Sequence, residues 1–464
     1  MNVAQEFDVV FIGAGPGGYT GAIKAAQLGL MTAIVEKGKT LGGTCLNVGC
    51  IPSKALLDSS VHFSFFQHDA AKHGVVAKSV SLDLPAMMAR KDQIVKELTN
   101  GVAFLMKKNK ITVFQGVGHF TDSNTLEVQG SNNDVIKFKS AVIATGSTVI
   151  ELSHLKFDGS TVISSTEALT LPKVPKHLIV VGAGAIGLEM GSVWKRLGAD
   201  VTVVEAAPKI CGPMDAQVSK ELHKVLVKQG MKILTSTKVV AADVKPGSVK
   251  LKMEGEVTEI EGDVCLVAVG RKPYTDGLGL DKAGVEVNPR GRVAINEKFQ
   301  TNVPSIYAIG DAVEGAMLAH KAEEEGVAVA EIISGHHAHV NYLTVPSVIY
   351  TWPEVAGVGY TEEQLKEKGI AFKKGQFPFS ANARAKAIGE TNGFVKFLAD
   401  EKTDRILGCH VLGPRASDVL AEAVVAMEFS ASSEDVGLSF HAHPTLSEVM
   451  REAALAVSGR ARQM

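Results

Sequence analysis

The stretch FDVVFIGAGPGGYTGAIKAAQLG, Phe7 to Gly29, decides the fold. It reads as an apolar strand (Phe7 to Ile12), a glycine turn, and a helix with small residues on its sheet-facing side. The turn carries Gly13, Gly15 and Gly18 in G-x-G-x-x-G spacing. The first glycine makes the turn, and the second lets backbone approach a pyrophosphate. The third allows close helix–strand packing, while the helix N-terminus supplies N–H groups and partial positive charge. A second strand, TAIVE, ends at Glu36, where a carboxylate can bind ribose hydroxyls.

The same arrangement recurs in HLIVVGAGAIGLEMGSVWKRLGADVTVVE, His177 to Glu205, with Gly182, Gly184 and Gly187 at the turn. In both copies the acid stands 23 residues after the first glycine, Gly13 to Glu36 and Gly182 to Glu205. A lone glycine fingerprint is weak, but strand, helix and terminal acid repeated in register point to two dinucleotides. No arginine follows Glu205 in VVEAAPKI, so a 2′-phosphate would be repelled and a free 2′-hydroxyl accepted. NAD is therefore expected over NADP.

The remaining segments fit an α/β chain with two Rossmann-like dinucleotide-binding domains and a C-terminal α+β domain. AVIATGS (Ala141 to Ser147), LVAVGRKP (Leu266 to Pro273) and TNVPSIYAIGDA (Thr301 to Ala312) each read as an apolar strand running into a glycine turn. Expected divisions are a first nucleotide domain over 1–147, a second over 148–270, a return to the first sheet over 271–344, and a C-terminal domain over 345–464. The last has strand patterns in GFVKFLAD and RILGCHVLG, a helix in ASDVLAEAVVAMEF, and no glycine fingerprint.

Composition narrows the class. A chain of 464 residues is too long for one ordinary core. Its 45% hydrophobic and 21% charged content suits a soluble globular protein, and a net charge of −2 gives no reason to propose nucleic acid or an acidic membrane as partner. No apolar run reaches transmembrane length. The opening MNVAQEFDVVFIGAG shows no targeting pattern, so the expected compartment is the cytoplasm, or the mitochondrial matrix if a presequence was removed. Five cysteines argue against a disulfide scaffold, and Cys211, Cys265 and Cys409 read as small buried side chains.

The other two cysteines stand in GGTCLNVGCIPSK, Gly42 to Lys54. Residues five apart in a regular helix have Cα atoms about 8.6 Å apart, beyond the roughly 7 Å a disulfide spans. If Cys45 and Cys50 bond, the backbone must bend, and Asn47 and Gly49 permit it. Pro52 then opens a helix from Cys50, whose thiolate would sit at a positive helix end near Lys54. A zinc site fails for want of a second Cys/His pair at ligand spacing, so no metal is expected. Two electrons passing between such thiols and a nicotinamide need a relay, and FAD is expected at the first turn.

GGTCLNVGCIPSK, GAGPGGY, GAGAIGLE, AIGDA and HAHPTLSE together resemble the pyridine nucleotide-disulfide oxidoreductases over essentially the whole chain, above all the dihydrolipoamide-oxidising branch. The resemblance implies oxidation of protein-bound dihydrolipoamide through a Cys45–Cys50 redox disulfide and FAD, with NAD⁺ reduced. It makes Cys45 the interchange thiol and Cys50 the flavin-side, charge-transfer thiolate. It assigns Gly13, Gly15, Gly18, Glu36, Lys37, Gly43, Thr44, Lys54, Gly118, Thr145, Gly146, Ser147, Asp311 and the run Met317, Leu318, Ala319, His320 to FAD. Gly182, Gly184, Ile186, Gly187, Glu189, Glu205, Val239 and Gly270 go to NAD.

Thiol exchange also needs a proton acceptor near neutral pH, for which histidine is suited. By residue type alone, a histidine before a proline reads as a turn or cap residue. The resemblance instead makes His443 the acid–base residue and Glu448, one turn into the next helix, its orienting partner. It further implies a homodimer whose partner subunit supplies this base, and lipoyl-bearing acyltransferase subunits of 2-oxo acid dehydrogenase complexes as partners. His441 is left structural. Against glutathione reductases stand Ser53, where those enzymes show lysine, and Glu205; against mercuric reductases stands the cysteine-free tail GRARQM. A non-catalytic scaffold flavoprotein is opposed by the intact Cys45, Cys50 and His443.

Overall fold

The computed structural model describes residues 5–130 and 133–463. The opening MNVA and the final methionine of the tail lie outside the described residues. The chain forms two compact units. One collects the segments up to Leu56, Pro85–Ile150 and Gly270–Val340; the other collects Leu57–Leu84, Glu151–Val269 and the chain from Asn341 onward.

Among the described residues the first unit is built on a six-stranded sheet. Parallel strands run in the order Thr112–Asp122, Thr32–Glu36, Gln5–Ile12, Asp134–Ile143, Ile306–Ala308. Thr125–Gly130 pairs antiparallel with the strands on either side of it in sequence. Val9, Val10, Phe11 and Ile12 are all buried, because a parallel sheet is covered on both faces and its central strand has no wet side. The helix Pro16–Gln27 also packs on the helix Ala319–Ile333. A Cβ on Gly326 would lie 2.4 Å from the Gly17 carbonyl oxygen, so small residues serve this helix pair as well as the sheet.

The second unit holds a parallel sheet in the order Lys232–Leu234, Asp200–Val204, His177–Val181, Val264–Val267, Val162–Ile163. An antiparallel sheet (Lys238–Lys245, Ser248–Glu254, Glu259–Gly262) shares its apolar cluster, where Val239 and Leu251 meet Val181 and Val204. From Asn341 onward an antiparallel sheet runs Ser347–Ile349, Glu354–Gly359, Ile406–Gly413, Phe394–Asp400, Phe372–Pro378. Helices Ala421–Glu428 and Glu448–Ala456 pack on its core.

A buried ion pair ties the two layers of this unit. Asp215 caps the helix Ala216–Lys228 and accepts from Lys396 Nζ at 2.7 Å, with both side chains fully buried. Glu362 accepts from the same ammonium at 3.2 Å. Burial alone would raise the Asp215 pKa; the charges of His410 and Lys396 and the hydrogen bonds it accepts outweigh that and hold it below the usual carboxylate range. No helix among the described residues is long and apolar enough to cross a membrane.

Candidate active site

The two glycine turns are built alike. Gly13 and Gly182 have φ of +103° and +107°, and a Cβ on either would lie 2.5 Å from a carbonyl oxygen, of Ala144 or Ala268. A Cβ on Gly18 would stand 1.9 Å from the Gly13 oxygen, and one on Gly187 2.0 Å from the Gly182 oxygen. The third glycine is thus fixed by the first. Gly15 and Gly184 are extended N-cap residues with no side-chain cap, which leaves first-turn N–H groups to a ligand oxygen. Above Gly184 nothing lies within 4 Å of where a Cβ would be. Both turns fit the diphosphate of a dinucleotide.

The strand-end acids also hold the turns themselves. Glu36 accepts from the N–H of Ala14 at 2.8 Å and of Gly38 at 2.6 Å. Glu205 accepts from Ala183 at 2.7 Å and Ala207 at 2.8 Å. The expectation gave both acids a ribose role only; their first task is to tie the glycine turn to the next strand.

The cysteine segment is fastened to the first turn. Gly42 N–H donates to the Ala14 carbonyl at 2.8 Å, and a Cβ on Gly43 would lie 2.5 Å from the Gly15 Cα. Cys45 lies in the short helix Gly43–Val48, and Cys50 opens the helix Cys50–His68. The bend expected between them falls at Gly49 alone (φ −142°, ψ −115°), where a Cβ would meet the Thr44 oxygen at 2.8 Å. Asn47 stays helical and donates to the carbonyls of Leu41 and Gly43.

Cys45 and Cys50 are both half-buried. A hydrogen bond from the Cys45 thiol to the Cys50 sulfur, then burial, then the charges of Cys50 and Glu323 raise the Cys45 pKa, with Lys54 opposing. Glu323 accepts from Tyr19 Oη at 3.2 Å, and the sequence reading missed both residues, which sit 304 positions apart.

Around the turn, Lys37 Nζ lies 3.5 Å over the ring of Tyr274, whose carbonyl accepts from Thr145 Oγ1 at 2.6 Å. Gly146 carbonyl accepts from Tyr274 N–H. Ser147 donates to Asp311, whose turn is held by a buried pair: Glu325 accepts from Gly310 N–H at 2.7 Å and bonds Lys321 at 2.8 Å. Met317, Leu318, Ala319 and His320 are half-buried at the start of the helix Ala319–Ile333, which has no side-chain cap. Thr44 is exposed. Gly118 faces Ile12, Val35 and Leu126, so packing already accounts for a glycine there.

At the second turn Ile186 is half-buried and Gly270 exposed with φ +133°. Two residues read as NAD contacts have other neighbours. Glu189 is buried and accepts from Tyr350 N–H at 2.9 Å, and the Val239 side chain lies in the apolar cluster.

In the second unit His443 Nδ1 donates to Glu448, at 3.0 Å from Oε1. The imidazole is 67% exposed while the carboxylate is 3% exposed. Glu448 is the first residue of its helix rather than one turn in, and it also accepts from Thr445 N–H at 3.0 Å. Burial raises its pKa, but these bonds and Arg451 outweigh it and leave the carboxyl below the usual range. An anionic Glu448 on Nδ1 leaves Nε2 as the basic nitrogen. His441, read as structural, is bonded to Glu422 at 2.8 Å. Cys211, Cys265 and Cys409 are buried.

The pattern described as pyridine nucleotide-disulphide oxidoreductase matches residues 7–326, and the dimerisation domain of the same family matches 345–454. The chain belongs to the pyridine nucleotide-disulphide oxidoreductases. It is 53% identical over 459 residues to the mitochondrial dihydrolipoyl dehydrogenase 1 of Arabidopsis thaliana, across 98% of this chain and 90% of that one. Identity is also 53% to a leghemoglobin reductase of Glycine max, across 98% and 88%. Among solved structures, the HOCl-induced flavoprotein disulfide reductase RclA of Escherichia coli superposes with a TM-score of 0.85 at 26% identity, across 96% and 99%.

Proposed function

We propose that this chain is a dihydrolipoyl dehydrogenase, which oxidises protein-bound dihydrolipoamide and reduces NAD⁺. The observation that carries the reading is the Cys45–Cys50 dithiol, bonded across the Gly49 break and fastened to the first nucleotide turn. FAD is held by the turn at Gly13, Gly15 and Gly18 with Glu36 and Asp311; NAD is held by the turn at Gly182, Gly184 and Gly187 with Glu205. When bound, FAD supplies a two-electron relay between the dithiol and NAD⁺.

The chain's own residues do the thiol chemistry. In the oxidised form a substrate thiolate attacks the Cys45 sulfur, the Cys45–Cys50 bond breaks, and Cys50 leaves as a thiolate. His443 Nε2 takes the proton of the second substrate thiol. That thiolate attacks the mixed disulfide, closes the lipoyl ring and releases Cys45. Two electrons now rest on the dithiol. Glu448 stabilises the imidazolium that results.

The domain organisation follows the same reading: FAD domain 1–147, NAD domain 148–270, a segment 271–344 completing the first, and an interface domain 345–464. Support comes from the return of Gly270–Val340 to the first unit. The homodimer, with His443 serving the partner's thiols, and docking to lipoyl-bearing acyltransferases in the cytoplasm or mitochondrial matrix, belong to this proposal. Purified FAD-loaded protein should reduce NAD⁺ with dihydrolipoamide and leave glutathione disulfide with NADPH untouched. Turnover of the second pair alone would overturn it.

A further inference from the structure

We infer that Arg271 is a positioning residue of the first nucleotide site: through Ser147 it sets the direction of the Asp311 carboxylate. Its strand Arg271–Pro273 pairs antiparallel with Ser147–Val149, with Pro273 opposite Ser147. The guanidinium runs back along this ribbon. Nε donates to Ser147 Oγ at 2.7 Å, and Nη2 donates to the Ser147 carbonyl at 2.6 Å. A hydroxyl has a single proton, and with Arg271 on its lone pair Ser147 can only donate onward. It donates to Asp311 Oδ2. One acceptor site of Asp311 Oδ2 is thereby taken by Ser147, which fixes the rotation in which the carboxylate is presented to a ligand hydroxyl.

Arg271 is half-buried. Burial lowers its pKa, and negative charge, first at Asp311, pulls it back up. The role is not legible in LVAVGRKP, where Arg271 reads as one of two adjacent basic residues. The inference rests on the reading above only in that the first turn holds FAD.

Three full-length variants test it: Arg271→Lys, Arg271→Met and Ser147→Ala. FAD affinity is read by flavin fluorescence on reconstitution, and overall stability, which should change little, by denaturant unfolding. Lysine keeps the charge without the planar fork, so FAD binding should weaken about 10-fold. Methionine should weaken FAD at least as much, and Ser147→Ala should follow lysine. Parent-like FAD affinity in Arg271→Lys and Arg271→Met would overturn the inference. If the methionine variant does not fold, parent-like FAD affinity in Arg271→Lys and Ser147→Ala overturns it alone. A parent protein inert toward dihydrolipoamide would remove the proposed activity, yet the FAD readout would still decide the role of Arg271.

Discussion

Two glycines three positions apart in the second turn should fail in different ways when each is given a methyl group. At Gly187 the added Cβ would sit 2.0 Å from the Gly182 oxygen, where ordinary contact begins near 3.4 Å. The turn must open by more than an ångström, and overpacking of that kind costs about 1–3 kcal/mol of stability. Gly187→Ala should therefore unfold at lower temperature and bind NAD⁺ poorly. At Gly184 the Cβ would meet nothing within 4 Å, and φ −79° with ψ −174° suits any residue. Gly184→Ala should leave the fold intact, or raise its stability by about 0.4–1 kcal/mol through the unfolded chain. Its methyl group would occupy the space that lets a pyrophosphate reach the helix N–H groups. Losing one hydrogen bond to a charged group costs about 1.5–3 kcal/mol, or roughly 10- to 100-fold in NAD⁺ affinity. Differential scanning calorimetry and titration with NAD⁺, both on FAD-loaded protein, read the two effects separately. Equal loss of stability in the two variants, or parent-like NAD⁺ affinity in Gly184→Ala, would refute the reasoning.

Cys45→Ser should abolish dihydrolipoamide oxidation while the flavin absorbance at 1:1 stoichiometry is kept; loss of flavin would count against the assigned roles. Cys211 and Cys265, both pushed up to about 12 by burial, should stay unlabelled by iodoacetamide at pH 8 in native protein, where thiolate is about one part in 10⁴; peptide mass spectrometry checks this. Glu448→Gln should lower kcat about 10- to 100-fold with little change in melting temperature, because the imidazolium loses its counter-charge. Lys396→Met should cost about 3–5 kcal/mol by leaving Asp215 buried and unpaired, measured by denaturant unfolding. The folded pKa of Asp215 is depressed, so in the parent its stabilisation is present above the unfolded carboxylate pKa near 3.8 and is lost as pH falls through the lower folded value. The acid limb of a stability profile should flatten in the variant.

Much of the cysteine site was readable in advance because its causes are local. The bend between the thiols follows from a five-residue spacing that a helix cannot close, and Gly49 supplies it. The choice between Asn47 and Gly49 was not readable, since Asn47 is drawn into the helix by carbonyls at Leu41 and Gly43 that only the folded loop presents. Glu189 has a neighbour that its sequence position does not announce. It stands beside the second fingerprint, and the strand at Ser347–Ile349 also brings Tyr350 N–H to its carboxylate.

By itself the sequence determined two nucleotide turns, a thiol pair and a histidine with its acid, because each is written within one supersecondary unit. A Cβ at Gly187 is forbidden by Gly182, five residues away, and that constraint survives in any context. Only the tertiary structure decided what surrounds them: Tyr19 with Glu323, Arg271 with Ser147 and Asp311, Asp215 with Lys396. Each directly bonded pair lies more than 100 residues apart and meets through strand register and helix packing, which no local period of polar and apolar residues encodes.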